Sequence, residues 1–343
     1  MNLFENHRFV RREGTITGDR TSLLNAAKAT EANNPEGSEF KKVQVSPVGD
    51  GKGLAVADRS AGLHKERSMS RYQARTMFDD QHVCVLDIET ISGEEMPDGG
   101  FPPWATHTPV VASALTCDRD HFGEWYFDLV SIRFGKDDEP FERLEGLLRG
   151  RSCVTANGRG FDLPVLMLAA QSTRNFHLPA LTAAATEPRY ASSKHYDLLD
   201  KYSGHGSARG CSLAMLCDAL GIKSKVTAHG DEVGKLYDEG KIDEIVQYCE
   251  GDVISTTLLL AHYRAMEKGD GSYHASLTSQ LVRWIHVEGH EYLLPFAEIE
   301  DLAGLLRLSL IAQIDAATQQ GELGAALQAK RALDASFTEI THY

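Results

Sequence analysis

The feature that most constrains this chain is a short apolar run that ends in two acidic residues. Four consecutive apolar residues, 83–86, are followed by Asp87 and, two positions later, by Glu89. This pattern predicts a β-strand over 82–90 that is buried on both faces. Because side chains alternate along a strand, we expect both carboxylates on one face, roughly 6.5–7 Å apart.

Two carboxylates on the same face of a buried strand repel each other and lose hydration, which is costly unless a cation lies between them. A divalent metal bound through oxygen ligands removes that cost, and Mg²⁺ or Mn²⁺ fits best by hardness. The alternative is a strand that ends at a polar surface loop, where Asp87 and Glu89 are simply solvated.

The cysteines and the apolar runs of the chain restrict its class. Six cysteines are scattered without any CxxC pair, which favours reduced, buried thiols over disulfides or a zinc site. The first residues carry no apolar signal core, and no run approaches transmembrane length. We therefore expect a soluble, cytoplasmic protein with no membrane partner.

The formal net charge of −14 argues against broad, nonspecific binding to nucleic acid, which depends on neutralising phosphates. The charge does not exclude a nuclease. A site that holds metals with several carboxylates adds negative charge, and the bound metals reverse the field locally.

The 343 residues divide into three expected regions. Residues 1–78 are poor in large apolar residues and rich in turn formers, so a flexible or weakly ordered extension is expected. Residues 79–270 alternate strand and helix patterns, as in an α/β domain with helices packed on a mixed sheet. Residues 271–343 are expected to form a helical extension.

Several elements of the central region can be placed from the pattern. Strands are expected at 109–117 and 122–130, joined as a hairpin, and at 152–155. A helix over 138–149 follows from its apolar stripe, with Asp138 as its cap and Pro140 in its first turn. Further helices are expected from Asp162 onwards and at 212–220, 231–239, 241–268, 275–291, 297–319 and 322–336.

A second acidic segment follows the strand at 152–155. Asn157, Gly158, Arg159 and Gly160 form a tight turn, and Asp162 stands at the start of a helix. An aspartate at that position is also a common helix cap, asparagine is a common turn former, and an arginine there can be a solvated surface charge. The segment alone does not separate these roles.

The third segment lies on the helix expected at 241–268. Tyr248 and Asp252 are four residues apart, so they share a face of the helix about 5–6 Å apart. A neighbouring apolar stripe, which includes Cys249, anchors this helix in the core. Tyr248 alone is also compatible with a core tyrosine whose hydroxyl reaches water.

Together, the segments Asp87–Thr90, Asn157–Asp162 and Tyr248–Asp252 resemble the three signature motifs of the DnaQ-like (DEDDy) 3′–5′ exonucleases. The closest branch comprises predicted exonucleases similar to the proofreading domain of family B DNA polymerases. The resemblance extends to His195–Asp200 and to the helix at 212–221. A histidine stands five residues before the last aspartate in the sister group, whereas this chain has Gln247 there, which favours the tyrosine form.

The resemblance implies a ribonuclease H-like core and a two-metal hydrolysis of single-stranded nucleic acid, DNA rather than RNA. Asp87, Glu89, Asp162 and Asp252 would bind two Mg²⁺ or Mn²⁺ ions, and Tyr248 would aim the attacking water. The residues expected to contact substrate are Thr90, Asn157, Arg159, Phe161, Lys223 and Lys225.

Two other functions remain open from the sequence. One keeps the chemistry and changes the substrate to RNA. The other is a catalytically silent nucleic-acid-binding or scaffolding module whose tails bind partners; protein partners themselves cannot be read from the sequence. The presence of all four acids together with Tyr248 argues against the silent module.

Overall fold

The computed structural model describes residues 78–94, 100–224, 232–288 and 290–340. The extension predicted over 1–78 lies outside these ranges except for Phe78. That residue is buried, and its ring lies 4.5 Å from the ring of Tyr196. The expected boundaries between the three regions stay predictions.

A mixed five-stranded sheet forms the centre of the described chain, in the order β3-β2-β1-β4-β5. Its strands are β1 (His82–Ser92), β2 (His107–Arg119), β3 (Trp125–Arg133), β4 (Ser152–Thr155) and β5 (His195–Asp197). The first three strands pair antiparallel, whereas β4 and β5 run parallel to β1. This is the predicted α/β, ribonuclease H-like arrangement, and the hairpin predicted between β2 and β3 is confirmed.

Strand β1 occupies the middle of the sheet and is covered on both faces. Residues 83–86 are completely buried, as the apolar run predicted. Val83 and Val85 contribute to the core on one face, and Cys84 and Leu86 to the core on the other. The alternation of β1 therefore divides the apolar interior into two layers.

Three helices cover the face of Cys84 and Leu86: α1 (Pro140–Leu148), α2 (Asp162–Ser172) and α3 (Pro179–Thr186). The cap predicted for α1 is wrong. Glu139 rather than Asp138 precedes the helix, in a left-handed conformation and without a side-chain cap. Pro140 marks the start of the helix instead. Proline is favoured there because an N–H group in the first turn has no partner within the helix, so its absence costs nothing.

The opposite face is covered mainly by two long helices, α7 (Ile242–Lys268) and α8 (Ser272–Glu288). Helix α7 is buried along much of its length, and Gly251 lies in the middle of it. A Cβ atom at Gly251 would lie 2.9 Å from the Phe296 ring, so only glycine lets the 3₁₀ segment Glu291–Ala297 lie this close.

The remaining helices are α4 (Leu198–Tyr202), α5 (Leu213–Ala219), α6 (Val233–Asp238), α9 (Leu302–Gln319) and α10 (Leu323–Ile340). A short 3₁₀ turn, Trp104–Thr106, leads into β2. All six cysteines are free thiols, and five of them are buried, as predicted. None of the helices in the described ranges is both long and apolar enough to cross a membrane.

Candidate active site

Asp87 and Glu89 lie near the carboxyl end of β1, on the face that is covered by α7. They have the same parity along the strand as Val83 and Val85, which fixes this direction. Glu89 is buried and Asp87 is partly buried. An oxygen of each carboxylate and the sulfur of Cys249 all lie within 4.8 Å of one another. The shared face predicted from the alternation is thus present.

Helix α7 brings the third segment to these acids. Tyr248 is buried, and its hydroxyl hydrogen-bonds to Asp252, four residues later on the same helix. Cys249 lies between β1 and α7, with its Sγ 3.4 Å from the main-chain oxygen of Asp87 and 3.5 Å from its Oδ2. Sequence reasoning assigned Cys249 only to the apolar stripe and missed this contact.

Asp162 reaches the same place from the turn between β4 and α2. It is the first residue of α2 and is buried, and its carboxylate accepts a hydrogen bond from the main-chain N–H of Ile88, between the two acids of β1. The residue preceding the helix is Phe161, which makes no side-chain cap. The structure therefore does not place Asp162 at the cap position considered from the sequence.

The turn that delivers Asp162 is held by a further acid, Asp197 of β5. Its two oxygens accept hydrogen bonds from the main-chain N–H groups of Asn157 and Arg159, at 3.1 and 2.9 Å. Gly158 donates to Thr155 Oγ1 at 3.0 Å, and a Cβ atom on this glycine would lie 2.3 Å from that oxygen. The close approach of turn and strand thus requires glycine at 158.

The acids raise one another's affinity for protons. Burial raises the pKa of Asp87 well above its ordinary value, and the charges of Asp162 and Asp252 raise it further. Burial also raises the pKa of Asp162, against which the hydrogen bond from Ile88 acts. For Tyr248, burial and the negative charge of Asp252 raise the pKa of the hydroxyl. Only protons or cations can relieve this repulsion.

An aromatic cluster lies beside the acids and was only partly predicted. The ring of Phe101 stacks on His107 with 4.7 Å between centroids, and Phe161 contacts both rings edge-on. Thr90 Oγ1 lies 2.7 Å from His107 Nδ1, which ties the cluster to the residue after Glu89. Phe101 is nevertheless 71% exposed, so its ring is available to a ligand.

An open cleft of about 510 Å³ adjoins the acids and is lined by Asp87, Asn157 and Asp252. Two arginines that sequence reasoning missed, Arg189 and Arg209, also line it. The guanidinium of Arg189 is bound to Asp200, whereas that of Arg209 is exposed and forms no hydrogen bond or ion pair with the described residues. The cleft therefore contains both the acidic side chains of Asp87 and Asp252 and the exposed guanidinium of Arg209.

The structure gives less support to the other residues that were predicted to contact substrate. Arg159 is partly buried: its Nη1 donates to the main-chain oxygen of Glu187 at 2.7 Å and its Nε lies 3.2 Å from Asp200 Oδ2. Lys223 is exposed, 3.9 Å from Glu298. Lys225 lies outside the described residues. The substrate roles of these three residues stay predictions.

The fold and the acid cluster together define an α/β protein of ribonuclease H-like architecture with carboxylates from β1, α2 and α7 at one site. Residues 138–299 match a family described as predicted 3′–5′ exonucleases related to the exonuclease domain of PolB. The resemblance predicted from the motifs is thereby confirmed. The matched residues include Asp162, Tyr248 and Asp252, whereas Asp87 and Glu89 precede them.

Among solved structures, the chain is similar to the family B DNA polymerase of the hyperthermophilic archaeon Pyrobaculum calidifontis, with 16% sequence identity and a TM-score of 0.39. The similarity covers 68% of this chain and 29% of the polymerase chain, so the protein spans less than a third of that relative. No curated protein matches the chain.

Proposed function

We propose that the protein is a metal-dependent 3′–5′ exonuclease that removes nucleotides from the 3′ end of single-stranded DNA. One observation carries the proposal: the carboxylates of Asp87, Glu89, Asp162 and Asp252, from three separate elements, lie close enough to repel one another beside a tyrosine hydroxyl. The match of residues 138–299 to a family of predicted 3′–5′ exonucleases supports the nuclease activity in this proposal.

The donor set fits hard divalent ions. Asp87, Glu89, Asp162 and Asp252 offer oxygen ligands only, and the mutual repulsion of these partly or fully buried groups is relieved by positive charge. These four residues would hold two Mg²⁺ or Mn²⁺ ions. When bound, such ions activate a water molecule and neutralise the charge that develops on the leaving 3′ oxygen.

Tyr248 is the residue we assign to the attacking water. Its hydroxyl is hydrogen-bonded to Asp252 and lies in the field of Glu89 and Asp87. The raised pKa keeps this hydroxyl protonated at neutral pH, so it can donate a hydrogen bond but cannot act as a general base. Its role is to hold and orient the water.

Two features favour a single strand as substrate. The exposed ring of Phe101, held by His107 and Phe161, offers a stacking surface for an unpaired base. Arg209, exposed in the cleft, offers a positive charge to a backbone phosphate. The overall charge of −14 makes such local contacts necessary, because the protein surface as a whole repels nucleic acid.

The preference for DNA rests on the family match, whose members are described as related to the exonuclease domain of a DNA polymerase. The test is digestion of a single-stranded DNA oligonucleotide and an RNA oligonucleotide of the same sequence, both labelled at the 5′ end, with Mg²⁺ or Mn²⁺. We expect a ladder that shortens one nucleotide at a time and appears first with DNA.

Two variants make the assay decisive. Asp87→Ala is expected to lower the rate at least about 100-fold, because a carboxylate is lost from the proposed metal centre. The matched control is Asp128→Ala, which removes an exposed carboxylate from strand β3. Equal activity of Asp87→Ala and wild type would refute the proposed centre, and faster digestion of RNA would change the substrate.

A further inference from the structure

Strand β3 forms one edge of the sheet, and β5 forms the other. Strand β5 is only three residues long, whereas β3 has nine residues and pairs with β2 without a bulge. The sequence of β3 contains no proline or lysine, two residues by which natural edge strands prevent further pairing. A long, regular edge of this kind can accept another strand.

The register shows which main-chain groups of β3 face outward. Beyond its two ends, the Asp120 N–H donates to the oxygen of Glu124, and the Phe134 N–H donates to the oxygen of Val110. The even-numbered residues of β3 therefore bond to β2. The odd-numbered residues point their N–H and C=O groups away from the sheet, because bonding alternates along an antiparallel strand. These residues are Trp125, Phe127, Leu129, Ser131 and Arg133.

Both ends of this outer edge are occupied, whereas its middle is not. At one end, the Trp125 N–H donates to Gln280 Oε1 of helix α8 at 2.8 Å. At the other end, the Arg133 N–H donates to Asp137 Oδ2 at 3.0 Å. The three outward residues between these ends receive no main-chain bond from any other described strand or loop. Their N–H and C=O groups thus match the bonding pattern of a partner strand.

A groove of about 250 Å³ lies between the first part of β3 and helix α8. Its apolar lining includes Phe127 and Trp284, whose ring centroids are 6.0 Å apart, and Val287, which is 71% exposed. The side chains of Phe127 and Leu129 point to the face of the sheet that α8 covers. Residues of an added antiparallel strand that lie opposite these two would point to the same face, where apolar side chains fit.

The charged residues around the groove favour a basic partner. Glu124 and Glu288 line it, and Arg283 is the single cation among its described lining residues. Arg283 lies 4.0 Å from Glu124, which offsets part of its charge. Tyr126 is 60% exposed, and the negative charges of Asp120 and Glu124 raise the pKa of its hydroxyl. A lysine or arginine of a partner beside Tyr126 would meet both these acids and the face of the ring.

We propose that the outer edge of β3 binds an extended segment of another protein, in which apolar residues alternate with lysine or arginine. The segment would extend the sheet as an antiparallel strand. Its apolar side chains would contact Phe127, Trp284 and Val287, and its basic side chains would lie beside Tyr126. Main-chain bonds to the three outward residues of β3 would give the affinity, and the alternation of side chains would give the specificity.

The test uses a fluorescently labelled synthetic peptide of alternating lysine and valine, added to the full chain in saturating Mg²⁺. Fluorescence anisotropy should show binding of this peptide and of a version that is N-methylated at the lysine amides, which face away from β3. N-methylation of the valine amides should weaken binding at least about tenfold, because those N–H groups face the edge. Equal binding of all three peptides would overturn the proposal, since charge attraction without strand pairing would then explain it.

Leu129→Pro tests the same contact from the side of the protein. Proline removes one outward N–H and leaves the bonds to β2 in place, which an edge strand tolerates. Peptide binding should fall at least about tenfold, whereas the matched control Leu129→Ala keeps the N–H and should stay near the wild-type affinity. Equal affinities of the two variants would contradict the proposal.

Analytical ultracentrifugation separates the proposed partner from a second copy of this chain. A wild-type dimer that Leu129→Pro converts to a monomer would show that another copy occupies the edge, and the proposed partner would be wrong. The comparison of peptides uses wild-type protein only, so it decides the proposal even if Leu129→Pro folds poorly. None of these outcomes depends on the nuclease assignment.

Discussion

Two groups of acids among the described residues are shielded from solvent and differ in what surrounds them. Glu187 is buried, and its carboxylate accepts hydrogen bonds from the main-chain N–H groups of Ser193, Lys194 and His195. Glu145, also buried, accepts from Ala180 and Leu181 at the start of α3. At both positions, N–H donors compensate the charge and fix a loop or a helix end.

The acids around Asp87 are surrounded differently. Their principal neighbours are other carboxylates, and the few donors they have, such as Ile88 N–H for Asp162, do not offset the repulsion. Burial alone therefore does not identify a functional acid in this chain. Compensation by several N–H donors marks Glu187 and Glu145 as structural carboxylates, and the clustering of like charges marks the proposed metal ligands.

The largest expected effect is the loss of activity in Asp252→Asn. Asparagine keeps the size of the side chain and removes the charge, so catalysis should fall at least about 100-fold with the fold intact. The rate on a labelled DNA oligonucleotide and the thermal midpoint are measured together. If the rate and the thermal midpoint both fall, Asp252 would belong with Glu187 among the acids that stabilise the fold.

The opposite result is expected for Glu187→Ala. Several main-chain donors would lose their acceptor, so the free energy of unfolding should fall by about 1–3 kcal/mol or more. Urea unfolding gives this value, with Glu142→Ala, an exposed glutamate on α1, as control. The activity of the folded fraction should be unchanged. A stable but inactive Glu187→Ala protein would erase the distinction between the two kinds of acid.

Tyr248→Phe is expected to have an intermediate effect. Removal of the hydroxyl leaves the carboxylates in place, so the rate should fall about 10–100-fold with little change in Mn²⁺ affinity. Single-turnover kinetics and Mn²⁺ titration separate the two quantities. A normal rate with weakened Mn²⁺ binding would show that Tyr248 supports the carboxylates and does not act on water.

The smallest effect concerns the stability of metal-free protein. The pKa of Asp162 is raised in the folded state, so folding takes up protons and stability falls as pH rises above the unfolded value of 3.8. Asp162→Asn should therefore stabilise the protein in EDTA at pH 8 by about 1 kcal/mol, since one pKa unit corresponds to about 1.4 kcal/mol. Urea unfolding at pH 8 and pH 4 tests this.

The difference between variant and wild type should shrink toward pH 4, where Asp162 is protonated in the folded state and approaches half protonation in the unfolded state. Glu145→Gln is the contrasting variant, because its carboxylate has N–H donors and should not show the same gain. A stabilisation of Asp162→Asn that persists unchanged at low pH would mean that charge repulsion is not its cause.

The sequence predicts the parts of this fold that have strong local patterns. Strand β1 follows from its apolar run, and helix α7 from its periodicity, so the shared faces of Asp87 with Glu89 and of Tyr248 with Asp252 could be deduced. That those two faces meet at one site could be predicted only from the resemblance to a family, because no local sequence pattern indicates that residue 252 lies near residue 87.

Other features depend on contacts that only the folded chain creates. Strand β5 is three residues long and exists because β4 pairs with it, and α3 has no clear apolar stripe. The role of Asp197 in holding the turn at Asn157, and the capture of Arg159 by Asp200, arise between segments about 40 residues apart. At the start of α1, a left-handed Glu139 stands where a cap at Asp138 was expected.

The contact between Gly251 and Phe296 limits how far this protein can be shortened. The residue next to the glycine is Asp252, so the ring of Phe296 packs against the turn of α7 that carries a proposed metal ligand. Cloning a fragment that stops at the end of α8 would remove that ring and expose one side of α7. A working excised domain therefore has to extend at least through Ala297.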